Sequence, residues 1–143
     1  MVSIVVSVYL FWGAWQDFCR KKIENNYLCI GGVLGFIFRV VSLSEGGVTV
    51  REWSSALIPG ILLLIIAKAT NEKIGYGDGL VFLILGNFFL ISEVWMILQT
   101  AIYLVMIFSF ILVCSKKVFK EYQIPFLPFL WISHMLLWGL NYV

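Results

Sequence analysis

Long apolar runs separated by short polar stretches constrain this chain more than any other feature. A helix crosses about 30 Å of hydrocarbon with about 20 apolar residues, and about 17 suffice. Six segments meet or approach that length: Val2 to Cys19, Tyr27 to Leu43, Trp53 to Ala69, Gly79 to Ile91, Val94 to Cys114 and Ile124 to Tyr142. They are continuously apolar rather than alternating, so they are not strands of a membrane barrel. Pro59-Gly60 is expected to bend the third span, and the fourth is short. A water-soluble domain of 143 residues has too much surface to bury a composition that is 62% apolar and 13% charged. Disorder is excluded by the 17% aromatic content and a net charge of only +2. The expected fold is therefore all-α: a polytopic membrane protein, a bundle of six transmembrane helices in a single domain over residues 1–143.

Charge placement orients the bundle. Arg20, Lys21 and Lys22 follow the first span, Lys68 and Lys73 the third, and Lys116, Lys117 and Lys120 the fifth. Basic residues are retained on the cytoplasmic side, so these loops are expected there and both termini outside. Arg39, near the end of span two, is expected to snorkel toward the headgroups. The ten basic residues form no continuous surface for nucleic acid. Met1-Val2-Ser3-Ile4 lacks the basic start of a signal peptide, so the first span is expected to remain in the membrane. Cys19, Cys29 and Cys114 form no CxxC pair, and no metal or cofactor is expected. Gly31 and Gly35 have the GxxxG spacing that permits close helix contact.

Two acids stand apart from the lysine-rich loops. Asp17 ends span one, and Asp78 lies in Gly75-Tyr76-Gly77-Asp78-Gly79 at the start of span four. Both fall at the same expected depth and on the same side. An acid in or near hydrocarbon is costly unless paired, hydrated or neutralised, which makes it a functional candidate. Two carboxyls that approach each other share a proton, so that one activates a water while the other donates to a carbonyl oxygen. Glycines beside Asp78 permit close approach of a substrate backbone. The structural alternatives are an Asp17 pairing with Arg20 or Lys21, and an Asp78 that caps its helix.

Gly75-Tyr76-Gly77-Asp78 is a GxGD motif. Asp17 through Asn25, with Ile23 at its sixth following position, resembles the D-x5-I-P-N stretch of the type IV prepilin peptidases. Ile124-Pro125-Phe126-Leu127-Pro128-Phe129 is similar to the P-F-x-P-F segment that opens that family's last helix. The resemblance spans essentially the whole chain. It implies a membrane aspartic endopeptidase that removes the leader of prepilin-like proteins at the cytoplasmic face of the cell membrane. It maps the two catalytic aspartates onto Asp17 and Asp78. Gly75, Gly77, Asn25, Pro125 and Pro128 are the expected substrate-binding or loop-shaping positions. Glu24 stands in place of the usual proline, and Leu80 where many members carry a lysine. The comparison is with short members lacking the N-terminal zinc segment, so methyltransferase activity is not expected.

The remaining polar residues have plainer expectations. His134 is expected to be a hydrogen-bonded residue of the bundle interior, and Trp131 and Trp138 to face lipid or form an aromatic belt. Asn25 and Asn26 are expected to cap or end the first helix, while Pro125 and Pro128 start the last, where a missing N–H costs little. Glu24, Glu72 and Glu121 are read as pairing with neighbouring lysines rather than attracting a basic leader. The expected partners are a prepilin-like substrate and the bilayer, and the sequence is silent on oligomeric state. The rival readings are a proton-coupled carrier, which needs acids near mid-membrane, and a non-catalytic membrane scaffold.

Overall fold

The computed structural model describes residues 2–20, 23–70, 75–114 and 125–140. Among them there are seven helices and no strand: α1 (Val2–Arg20), α2 (Asn25–Ser44), α3 (Val50–Ala56), α4 (Ile58–Ala69), α5 (Tyr76–Leu85), α6 (Ile91–Cys114) and α7 (Leu127–Gly139). Four units are long and apolar enough to cross a membrane: α1, α2, the α3–α4 pair taken as Val50–Ala69, and α6. With 10 and 13 residues, α5 and α7 rise only about 15 and 20 Å. Both fall short of the expected six full spans.

The departures have local causes. The third span is two helices, because Leu57 breaks the run and Pro59, which has no N–H to give, sits in the first turn of α4. The fourth span stops at Leu85 instead of reaching Ile91. Residues 86–89 tighten into a turn, in which Asn87 N–H donates to Ile84 O and the Asn87 side-chain amide donates to Leu83 O. Leu90 N–H then donates to the Glu93 carboxylate at 2.8 Å, which lets α6 begin three residues before the expected Val94. The last helix starts at Leu127 with Pro128 in its first turn, where a missing N–H costs little and the fixed φ suits a helix start. Its expected ends, Ile124 and Tyr142, lie outside the described residues, as do Lys21, Lys22, Glu72, Lys73, the lysines at 116, 117 and 120, and Glu121. Asn25 is the first residue of α2 and does not cap α1.

The bundle is apolar outside. Trp12, Trp15 and Phe18 are all largely exposed, whereas Asp17, Arg39, Ser133 and His134 are buried. Lipid rather than water suits such an exterior. Helix α1 packs on α7, and α5 packs on α4, with α6 against α7. The α4–α5 contact is close because each helix presents glycine to the other. A Cβ at Gly60 would stand 2.6 Å from Leu83 N, and one at Gly79 would stand 2.7 Å from Leu64 Cδ2. Small residues let helix backbones approach where no hydrophobic effect drives them together.

A second interlock joins α1 to α2. Both helices carry Tyr-Leu-x-x-Gly, as Tyr9 to Gly13 and Tyr27 to Gly31. The tyrosine rings stack with centroids 4.3 Å apart. Tyr27 OH donates to Tyr9 O at 3.1 Å, and Tyr9 OH donates to Tyr27 O at 3.5 Å. Each hydroxyl lies where a Cβ on the partner helix's glycine would be, so Gly13 and Gly31 are both required by the partner ring. Gly31 thus receives α1, while Gly35 faces Asn87 and Phe88 beyond α5. The expected close contact is therefore two different contacts.

Arg39 corrects an expectation. It is 1% exposed and points inward, not toward the headgroups. Its guanidinium donates to Gly86 O, Asn87 O and Phe89 O, each at 2.9 Å. Because α5 stops early, the turn that follows it lies inside the bundle, where no water satisfies its carbonyls. Arg39 supplies the missing donors. His134 behaves as expected of an interior residue, with Nδ1 3.3 Å from Ser7 Oγ and its ring against Phe89. Trp138 is exposed, but Trp131 is half-buried and packs on Phe11.

Candidate active site

One end of the bundle gathers the C-terminal turn of α1, the α1–α2 connection, the first turn of α5 and the start of α7. Buried positions on α1 recur at Val6, Leu10, Gly13, Ala14 and Asp17, so helical periodicity places the carboxyl on the inward stripe. Asp17 is 9% exposed. Leu127 N–H donates to its Oδ2 at 3.1 Å. That N–H is one of the unpaired donors at the start of α7. Asp17 is therefore bonded to α7 and not to Arg20. Arg20 instead forms an ion pair with Glu24, for which a neighbouring lysine is the expected partner.

Asp78 is the third residue of α5 and is half-buried. It does not cap the helix: Gly75 takes the capping position, and Asp78 N–H donates to Gly75 O at 3.1 Å. The Asp78 carboxyl folds back over Gly75, its Oδ2 3.3 Å from where a Cβ on that glycine would be. Asp17 and Asp78, on α1 and α5 and 61 positions apart in sequence, stand at the same end of the bundle.

The other expected positions divide. Pro125 and Pro128 are half-buried on either side of Phe126-Leu127 and shape the turn that presents the Leu127 N–H to Asp17. Phe126 also packs against Phe82, one turn beyond Asp78, with ring centroids 6.2 Å apart. The site end of α5 and the start of α7 are therefore in contact. Gly77 is covered by Ile23: a Cβ there would stand 2.5 Å from Ile23 Cδ1. Asn25 is exposed on the first turn of α2 and hydrogen-bonds neither acid among the described residues. Glu24, in place of the family's proline, has φ −72° and ψ 138°, a conformation proline also adopts.

Sequence reasoning missed Ile23 and Phe82 as site neighbours. Ile23 carried a signal, its place in the first motif, but no spacing rule says what an aliphatic side chain will touch. Among the described residues, no three His, Cys, Asp or Glu side chains cluster as metal ligands would.

A model of the type IV leader peptidase family matches residues 4–140. No curated protein and no solved structure matches the chain.

Proposed function

The chain belongs to the type IV leader peptidase family, and from that premise we propose that it is a membrane-embedded aspartic endopeptidase whose catalytic pair is Asp17 and Asp78. The observation that supports this reading is that two carboxyls, from α1 and α5, stand at the same end of an apolar bundle. The substrate class is a prepilin-like protein with a leader followed by its own apolar helix. The bilayer would hold that helix parallel to the bundle and bring the scissile bond to the depth of the acids, which reduces the entropic cost of alignment. Among the described residues Arg20 and Lys68 lie at this end, and the positive-inside asymmetry of the sequence favours a cytoplasmic site.

The chemistry needs one proton on the pair. The ionised carboxyl removes a proton from water as the oxygen attacks the scissile carbonyl. The protonated carboxyl donates to the carbonyl oxygen. Collapse of the tetrahedral intermediate breaks the C–N bond; the departing nitrogen takes a proton from the acid formed in the first step, and the other carboxylate recovers its proton from a hydroxyl of the intermediate. The products are a leader with a free carboxylate and a protein with a new amino terminus. The proton-carrier reading draws no support, because both acids lie toward one end of the bundle and not at its middle.

Incubation of the purified protein with a leader-bearing prepilin in lipid should yield the shortened product. Asp17→Asn and Asp78→Asn should each lower kcat by about 100-fold or more, since each removes a proton-transfer group. The dependence of kcat/KM on pH should be bell-shaped with two carboxyl-type limbs, which belong to the pair jointly. Cleavage at the wild-type rate by either variant excludes this pair.

A further inference from the structure

We propose that Ile23 is a positioning residue for the two aspartates, acting by seating its side chain in the notch that Gly77 leaves in the first turn of α5. The inference rests on the peptidase reading but concerns how the acids are brought together. A Cβ at Gly77 would meet Ile23 Cδ1 at 2.5 Å, Cγ1 at 3.3 Å and Cβ at 3.4 Å. The body of the isoleucine, not only its flexible tip, lies against this glycine. Ile23 is six residues after Asp17, and Gly77 is one residue before Asp78. The contact therefore joins the two stretches that carry the acids.

Such a joint is needed. Helix α1 has α7 as its main packing partner, and α5 has α4. The aspartates therefore belong to different packed pairs, which meet at this end through Phe126 on Phe82 and through Ile23 on Gly77. The α1–α2 connection is held at its base by the Tyr9–Tyr27 interlock and across its turn by the Arg20–Glu24 ion pair. Ile23 stands between those two restraints, half-buried against the core. It transmits the position of the α1–α2 hairpin to the residue next to Asp78. Gly77 is then required by Ile23. The expectation that this glycine clears space for a substrate backbone assigns its open face to a ligand, but a side chain of the same chain occupies it.

The test is an exchange of size across the contact. Gly77→Ala, Ile23→Ala and the double variant are compared in kcat and KM for a leader-bearing prepilin in lipid vesicles. Gly77→Ala should lower kcat about tenfold with KM within about twofold, the coupling expected of residues in direct contact. Alanine is the better helix former, so the loss cannot come from helix propensity. Ile23→Val should keep nearly full activity and Ile23→Ala should lose part of it. Adding Ile23→Ala to Gly77→Ala should restore kcat to within about threefold of wild type, because the new methyl fills space the isoleucine vacates. Losses that simply multiply in the double variant overturn the proposal, as does an effect of Gly77→Ala confined to KM.

A second readout does not depend on cleavage. With Cys19, Cys29 and Cys114 replaced by serine, Asp17→Cys and Asp78→Cys are cross-linked by a short bifunctional thiol reagent. The cross-linking rate should fall with Gly77→Ala and recover with Ile23→Ala added. A rate indifferent to both overturns the positioning role. Absence of cleavage by the wild-type chain, with the cross-linking pattern intact, overturns only the peptidase reading.

Discussion

Asp17 and Arg39 do related work at opposite ends of the bundle. Each is an ionisable residue of a long helix that satisfies the backbone of a short one. Asp17 accepts the first free N–H of α7, and Arg39 donates to three carbonyls where α5 ends. These short helices begin or end inside apolar surroundings, where an unpaired backbone group costs several kcal/mol. Removing the donor at 39 strands three acceptors. Arg39→Ala should therefore destabilise the protein by on the order of 3 kcal/mol, measured by unfolding in mixed micelles. Arg39→Lys should recover only part of this, because a single ammonium cannot reproduce the planar fork that reaches Gly86, Asn87 and Phe89 together. A neutral Arg39→Ala would contradict this account of the α5 terminus.

Among the elements, glycine decides which helices touch. Gly60 and Gly79 lie in the α4–α5 contact, where an added Cβ would meet neighbouring atoms at 2.6 and 2.7 Å. Gly60→Ala should drive α4 away from Leu83 and destabilise by about 1–3 kcal/mol. Gly32 provides the control. It lies within α2 with nothing inside 4 Å of its missing Cβ. Gly32→Ala should be neutral or stabilising by up to about 1 kcal/mol, as expected for replacing a helical glycine. Equal effects at the two positions would show that propensity, and not packing, governs α4–α5. GxxxG spacing alone does not reveal this, since Gly31 and Gly35 meet different partners and the α4–α5 glycines lie on separate helices.

At the scale of the molecule, the chain reverses direction between successive long helices, and both acids fall at the end that holds Arg20 and Gly75. The polar turn at Glu45-Gly46-Gly47, with Gly46 at φ 72°, lies at the opposite end. In a chain cleared of its native cysteines, single thiols at positions 20 and 75 should react with an impermeant reagent from one side of a sealed vesicle. A thiol at 46 should react from the other. Labelling of 20 and 75 from different sides would separate the aspartates and remove the basis of the proposed pair.

The length and polarity of the runs around Val2–Arg20, Asn25–Ser44 and Ile91–Cys114 already identify an all-helical membrane chain, because hydrocarbon demands long apolar helices whatever their neighbours. Asp17 and Asp78 could be singled out for a similar reason, since an acid is costly wherever lipid surrounds it. Those are properties of a residue in a solvent, and one dimension of sequence carries them. The inward turn of Arg39, the early stop of α5 at Leu85, the Tyr9–Tyr27 interlock and the seat of Ile23 on Gly77 are relations between distant segments. Each depends on which helix lies alongside which, and only three-dimensional packing decides that. An arginine near a helix end reaches for water or for a neighbour's carbonyls according to where that neighbour happens to stop.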